Sequence, residues 1–86
     1  MPEEYRVQIM PSARRELESL HDPMLKRALS ALTTLASDPR PRGSKKLVGR
    51  GSNYRLRVGD YRIVYDINDA DKLVVVYRIR HRREVY

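Results

Sequence analysis

Residues 54–65 read Tyr54-Arg55-Leu56-Arg57-Val58-Gly59-Asp60-Tyr61-Arg62-Ile63-Val64-Tyr65. Apolar or aromatic residues alternate with basic ones on both sides of Gly59-Asp60, a dipeptide typical of a two-residue β-hairpin turn. A loop of two residues fixes which residues lie opposite each other on the two strands. The predicted cross-strand pairs are Val58–Tyr61, Arg57–Arg62, Leu56–Ile63 and Arg55–Val64.

This register separates the hairpin into two faces, because side chains alternate along a strand. One face should belong to the core and carries Tyr54, Leu56, Val58, Tyr61, Ile63 and Tyr65. The other face carries Arg55, Arg57 and Arg62, with Arg57 and Arg62 directly opposite each other. Like charges in that position destabilise a sheet, whereas a phosphate bound between them would give two charge-assisted contacts. The alternative is a solvated face whose arginines serve solubility.

The rest of the chain gives weaker but consistent signals. Alternation predicts a strand over residues 5–9, then a helix over residues 13–20 with Ser12 as its N-cap. Asp22-Pro23 predicts the start of a second helix, with leucines at helical spacing, that ends near Ser37. Two loops, at residues 39–44 and 49–53, flank a possible short strand at residues 45–48, and a last strand covers residues 73–79.

The predicted order is β-α-α-β-β-β-β, with the strands gathered after the helices. This order predicts an α+β fold with an antiparallel sheet and an N-terminal helical hairpin packed on one face. With 86 residues, the chain should form a single domain over residues 1–86.

The charge of the chain is unevenly distributed. Residues 40–86 carry 13 Lys and Arg against 5 Asp and Glu, whereas residues 1–39 carry 5 against 6. A basic half on a small domain points to a polyanionic partner, of which nucleic acid is the commonest. Because the arginines alternate with apolar residues inside a predicted sheet, we expect them to form a fixed site rather than a tail.

Several classes of function are disfavoured by composition. The chain has no cysteine, which excludes disulfides and thiolate metal sites, and His21 and His81 are too far apart in sequence to form a ligand motif. No apolar run approaches the ~20 residues needed to span a bilayer. The N-terminus lacks the basic and apolar regions of a signal peptide, so a cytoplasmic protein without cofactor or metal is expected.

The C-terminal residues bring further chemistry to the end of the last strand. His81 can exchange a proton near neutral pH, and Tyr86 can stack on a base or transfer a proton. The alternatives are a surface histidine beside charged residues and a hydrophobic cap on the end of the sheet.

The hairpin sequence, together with His81-Arg82-Arg83-Glu84-Val85-Tyr86, resembles the RelE-type toxins of the RelE/ParE superfamily of type II toxin–antitoxin systems. The resemblance extends over nearly the whole chain and includes Pro11-Ser12-Ala13. It implies a small, metal-independent, ribosome-dependent endoribonuclease that cleaves mRNA in the A site of the 30S subunit. It also implies a cognate antitoxin.

By this resemblance, Arg55 and Arg57 match the two basic positions before the hairpin turn, and Arg62 matches the arginine after it. Arg82, or Arg83 with a different gap, matches the basic residue at the end of the last strand, and Tyr86 matches the terminal tyrosine. Well-known members carry lysines at the first two positions. Since arginine stays protonated, Arg55 and Arg57 cannot accept a proton, and that role would fall to Tyr86 or His81.

The residues suit attack of an RNA 2′-hydroxyl on the adjacent phosphate. This reaction needs a base for the hydroxyl, cations for the phosphorane charge and an acid for the leaving oxygen. Two other interpretations remain open. One is a ParE-type toxin, which shares the fold but inhibits DNA gyrase, and the other is a non-catalytic module that binds RNA or the ribosome.

Overall fold

The computed structural model of the protein describes residues 4–47 and 53–83, which form two helices and a five-stranded sheet. The elements are listed here in chain order: β1 (Arg6–Ile9), α1 (Pro11–Glu18), α2 (Met24–Ser37), β2 (Ser44–Lys46), β3 (Asn53–Val58), β4 (Tyr61–Asn68) and β5 (Leu73–His81). The predicted α+β class and the order of elements are confirmed. The loop predicted at residues 49–53 lies outside the described residues except for Asn53, which is the first residue of β3 rather than part of a loop. Val48, the predicted end of the short strand, and the terminal Tyr86 also lie outside the described residues.

The sheet is mixed rather than wholly antiparallel, which corrects the sequence prediction. Its strand order is β1-β5-β4-β3-β2, and β1 runs parallel to β5 while the other pairs are antiparallel. The two helices carry the chain from β1, at one edge, across to β2 at the other. No short turn connects β1 to β5, so no local sequence pattern predicts that these two strands run parallel.

The hairpin register is as predicted, with Val58 opposite Tyr61 and Arg57 opposite Arg62. Gly59 adopts a φ of +60°, a left-handed conformation that suits the turn, and a Cβ at this position would lie 2.9 Å from Cε of Met24. The turn is also held from β5, because the Arg82 N–H donates to the Asp60 carbonyl at 2.7 Å. The tip of the hairpin is therefore fixed between the start of α2 and the end of β5.

The core lies between the two helices and one face of the sheet. All six hairpin residues predicted to face the core belong to it, with four buried and Tyr54 and Tyr61 packed against them. Tyr65 is fully buried, and its hydroxyl donates to the Pro39 carbonyl at 2.7 Å, which ties the loop after α2 to the central strand. The two helices and the turn between them supply six alanine or leucine side chains to this core: Ala13 and Leu17 of α1, Leu20 of the turn, and Ala28, Leu32 and Leu35 of α2.

Neither predicted N-cap side chain caps its helix. Helix α1 begins at Pro11, so Ser12 lies inside it, and α2 begins at Met24 without a side-chain cap from Asp22. Ser12 instead donates to the Tyr77 carbonyl on β5 at 3.0 Å. Strand β1 pairs with β5 only as far as Val76, and α1 covers the edge of β5 beyond that point. The Ser12 hydroxyl therefore satisfies a backbone carbonyl of β5 rather than an amide of its own helix.

Candidate phosphate-binding site

The face of the sheet opposite the helices carries arginines from three adjacent strands. Register pairs Arg57 of β3 with Arg62 of β4, and Arg62 with Arg80 of β5. In the neighbouring row, Val64 lies between Arg55 and Arg78. We call this surface the arginine face and define it as Arg55, Arg57, Arg62, Arg78 and Arg80.

The geometry of the sheet sets the spacing between the side chains of the arginine face. Adjacent strands lie ~5 Å apart, and residues two apart on one strand are separated by ~7 Å. Two shallow depressions flank its centre. One, of about 260 Å³, is lined by Arg55, Arg57 and Lys45 together with Gly43 and Ser44. The other, of about 210 Å³, is lined by Leu47, Val64, Arg78 and Arg80.

Arg62 is buried, with 8% of its surface exposed, although the sequence pattern predicts a surface side chain on this face. The reason is its position on a central strand, where β3 and β5 place an arginine on each side of it. Arg57, on the more open strand, is exposed. Truncation of Arg62 would therefore change a packed position as well as remove a cation, whereas truncation of Arg57 removes mainly the cation.

A carboxylate lies at the β5 border of the arginine face. Glu16 of α1 accepts hydrogen bonds from Nη2 of Arg78 at 2.9 Å, from Nε of Arg80 at 2.9 Å and from the backbone N–H of Ile79 at 2.8 Å. Burial acts to raise the pKa of Glu16, but the bonds from the two arginines and the Ile79 amide outweigh it and lower the pKa below its usual value. Glu16 is therefore ionised at neutral pH.

His81 is not brought onto the arginine face. It lies opposite Tyr61, on the core side of the register, and the two rings make an edge contact with centroids 5.4 Å apart. Its Nδ1 accepts the Arg83 N–H at 3.3 Å, an exposed and weak bond that favours the tautomer with the proton on Nε2. In that tautomer the lone pair of His81 faces the backbone of its own turn.

Of the other two predicted site residues, the structure describes only Arg82. Arg82 follows β5 directly and is exposed beside the hairpin turn, through its backbone bond to Asp60. Tyr86 lies outside the described residues. The structure thus brings Arg55, Arg57 and Arg62 together on one face and leaves His81 on the other side of the sheet.

Sequence reasoning missed three basic residues and one acid of this surface. Lys45 pairs with Arg55, Arg80 pairs with Arg62, and Arg78 lies across Val64 from Arg55. The alternation of Arg78, Arg80 and Arg82 indicates that these arginines share one face of β5. The sequence does not show which face of the sheet that is, because the pairing of β4 with β5 shifts register after Val64. No sequence pattern links Glu16 to β5, because the contact joins residues 62–64 positions apart.

Within residues 4–47 and 53–83, no group of three His, Cys, Asp or Glu side chains is arranged to hold a metal ion. In the same part of the chain, no helix is long and apolar enough to cross a membrane. The arginine face itself presents guanidinium groups. These bind phosphate oxygens in pairs and stabilise developing negative charge without accepting a proton.

Comparison with known proteins places this architecture in a family. Residues 7–86 match the family described as ParE toxin of the type II toxin–antitoxin system parDE. The toxin RelG of Mycobacterium tuberculosis is 30% identical over 95% of this chain and 95% of its own.

Solved structures agree with the sequence comparison. The archaeal RelE–RelB complex from Pyrococcus horikoshii matches with a TM-score of 0.82 and 33% identity, covering 99% of this chain and 100% of that one. The toxin–antitoxin complex RelBE2 of M. tuberculosis matches with a TM-score of 0.79 and 31% identity, covering 94% of each chain. The chain belongs to the ParE toxin family of type II toxin–antitoxin systems and, within the RelE/ParE superfamily, is of the RelE type.

Proposed function

We propose that this toxin is a ribosome-dependent endoribonuclease that cleaves mRNA in the A site of the 30S subunit and so inhibits translation. The observation that carries the proposal is the row Arg57–Arg62–Arg80, in register across three strands. Three cations held side by side repel one another, and each anion that binds them, as Glu16 binds Arg80, relieves part of that repulsion. A phosphodiester at the transition state, where its charge increases, would be a further such anion.

The proposed reaction uses the RNA 2′-hydroxyl as nucleophile. The 2′-oxygen forms a bond to the adjacent phosphorus as a base removes its proton, and the bond from phosphorus to the 5′-oxygen breaks as an acid protonates that oxygen. The products are a 2′,3′-cyclic phosphate and a 5′-hydroxyl end. The arginine face would stabilise the extra charge on the phosphorane, a role that needs donors fixed in advance. DNA would be spared because it lacks the nucleophile.

Proton transfer must come from outside the arginine face, because guanidinium does not titrate at ordinary pH. We assign it to Tyr86, with His81 as the second candidate and Arg82 as a further phosphate ligand. The edge contact of His81 with Tyr61 and its bond to the Arg83 N–H argue for the tyrosine. Since the phosphate charge would be met by arginines, we expect no metal cofactor in the chemical step.

The ribosome would supply the positioning that this small protein lacks. The two depressions on the arginine face, of about 260 and 210 Å³, are smaller than the roughly 300–1,000 Å³ of a typical small-molecule pocket. We therefore expect negligible cleavage of free mRNA at low protein concentration, and a site of action in the cytoplasm.

A cognate antitoxin is the expected protein partner. The solved relatives from P. horikoshii and M. tuberculosis are toxin–antitoxin complexes. The net charge of +7 would attract an acidic antitoxin segment rapidly. A groove of about 380 Å³ between α2 and β3, lined by Arg27, Arg42 and Arg57 among others, offers one basic surface for it. Co-expression of the neighbouring gene should relieve toxicity.

Gyrase inhibition is the second candidate, because the matching family takes its name from ParE. A non-catalytic module that binds RNA or the ribosome is the third. The three functions differ in one set of assays: mRNA cleavage on translating ribosomes, supercoiling by purified gyrase, and ribosome binding without cleavage. We expect cleavage with 2′,3′-cyclic phosphate ends. Supercoiling inhibition without cleavage would overturn the proposal in favour of the gyrase function.

A further inference from the structure

Glu16 is placed to organise one border of the arginine face from a different element. Its carboxylate, with the side chain 21% exposed, accepts from Arg78 and Arg80, whose side chains are 40% and 34% exposed. Both partners in each of these bonds are charged. The Nε atom of Arg78 also lies 3.3 Å from each of the two carboxylate oxygens of Glu16. One acid on α1 thus binds two arginines of β5 that flank Ile79.

The edge of β5 by itself does not call for a charged residue at this position. The Ile79 N–H, 2.8 Å from Oε1, needs only one acceptor, which the amide oxygen of a glutamine would provide. Ser12, one turn earlier on α1, satisfies the Tyr77 carbonyl of the same edge with a neutral hydroxyl. The negative charge of Glu16 therefore serves the two guanidinium groups rather than the strand.

The negative charge of Glu16 offsets repulsion among the arginines of this face. Arg80 lies opposite Arg62, which itself lies opposite Arg57, so Arg80 sits at the end of a row of like charges. Without a counter-charge, repulsion and side-chain entropy would both favour rotamers that point into solvent. The lowered pKa of Glu16 is consistent with a carboxylate that stays ionised beside these cations.

We infer that Glu16 is a positioning residue that holds Arg78 and Arg80 in a fixed arrangement on the arginine face, ready for the RNA phosphate. The inference rests on the proposed ribonuclease function and deepens it. Donors that are fixed before the reaction stabilise a transition state better than donors that must reorganise. Glu16 also adds a negative charge near the phosphate, so it should weaken ground-state binding while it accelerates the chemical step.

The decisive variant is Glu16→Gln, which retains an acceptor for Ile79 and removes the charge. In single-turnover cleavage on programmed ribosomes, we expect the rate constant at saturation to fall roughly tenfold, in line with the loss of charged hydrogen bonds. The half-saturating concentration should stay the same or decrease, because the site becomes more positive. Rates are expressed per folded molecule, with the folded fraction measured by circular dichroism. An unchanged rate constant would overturn the inference.

Asp69→Asn is the matched control. Asp69 binds Arg40 through two bonds, at 2.8 and 3.2 Å, so it is another arginine–carboxylate pair of comparable geometry. Neither residue belongs to the arginine face. Asp69→Asn should lower stability without a change in the rate constant per folded molecule. An equal rate loss in this control would mean that general destabilisation explains the effect, and would overturn the inference.

A mutant cycle tests whether Glu16 acts through the two arginines that it binds. In a background that carries both Arg78→Ala and Arg80→Ala, Glu16→Gln should cause little further loss of rate, whereas additive losses would show that Glu16 acts by another route. Arg80→Lys keeps the charge but not the Nε–H that Glu16 binds, and should also lose rate. A fully active Arg80→Lys protein would contradict the need for a fixed guanidinium.

A ribosome-free measurement separates this inference from the proposed function. The Nε–Hε signals of Arg78 and Arg80 in ¹⁵N nuclear magnetic resonance should be dispersed in the wild type and collapse in Glu16→Gln. Signals unchanged by the substitution would overturn the inference. A wild type that fails to cleave mRNA on ribosomes would instead overturn the proposed function, whatever the arginine signals show.

Discussion

The arginines of the candidate site differ in exposure, and this difference separates the expected loss of cleavage from the expected loss of stability. Arg57 is exposed and Arg62 is buried, although they are cross-strand partners. Arg57→Ala should lower the cleavage rate ~100-fold or more, the usual loss for one well-placed transition-state contact, with little change in melting temperature. Arg62→Ala should lower both rate and stability. Arg6→Ala, an exposed arginine on β1, is the control and should change neither. A fully toxic Arg57→Ala protein would exclude the arginine face as the active site.

The residues proposed for proton transfer give a second prediction at this scale. Tyr86→Phe keeps the ring for stacking and removes only the hydroxyl, so it should cause the larger loss of cleavage. His81→Gln should cause a smaller loss, because His81 packs against Tyr61 on the other side of the sheet. The measurement is single-turnover cleavage across pH 6–9. If both variants retained wild-type rates over that range, neither residue would be an acid or base, and catalysis would rest on positioning and charge alone.

At the scale of elements, Tyr65 connects β4 to the loop that follows α2. Burial is the main cause that raises the pKa of Tyr65 to about 12, and its hydroxyl donates to the Pro39 carbonyl. A folded-state pKa above the unfolded value of ~10 means that this contribution to stability is complete below pH ~10 and is lost as pH rises toward 12. The free energy of unfolding should therefore fall between pH 10 and 12. In Tyr65→Phe the free energy of unfolding should be about 1 kcal/mol or more lower at neutral pH. Between pH 10 and 12 it should fall less steeply than in the wild type, because the titrating hydroxyl is absent. An equally steep decline in both proteins would assign the alkaline effect to other groups.

The elements also show what a sequence can and cannot predict in this fold. The hairpin of β3 and β4 was predictable residue by residue, because a two-residue turn fixes its register locally. Three features were not predictable: the pairing of β1 with β5, the contact of Ser12 with Tyr77 and the contacts of Glu16 with β5. Each joins residues more than 60 positions apart. The burial of Arg62 was not predictable either, because it depends on β5, the second strand that pairs with β4. The sequence thus predicted the β3 and β4 part of the candidate site, and the part on β5 followed only from tertiary packing.

For the whole molecule, the pairing of Arg40 with Asp69 predicts how the fold responds to acid. Hydrogen bonds from Arg40 and Tyr5 lower the pKa of Asp69 to about 2. Because the folded pKa lies below the usual value of ~3.9, the pair stabilises the fold fully above pH ~4, and this stabilisation is lost as pH falls toward 2. The melting temperature should decline over that range, and Asp69→Asn should show a lower but flatter profile. Parallel profiles would indicate that Asp69 has no part in acid unfolding.

The charge of the whole molecule predicts the salt dependence of its binding to RNA. Residues 40–86 hold 13 of the 18 basic residues, and the arginine face lies within them. Each phosphate contact releases counterions, so the logarithm of affinity for single-stranded RNA should fall linearly with the logarithm of salt, by ~0.7 per contact. Arg57→Ala should reduce this slope by about one contact, whereas Arg6→Ala should leave it unchanged, although both substitutions remove the same charge. Titration of a fluorescent oligoribonucleotide between 50 and 200 mM salt measures the slopes. Equal reductions in the two variants would mean that RNA senses only net charge, and that the arginine face does not bind phosphate as a defined site.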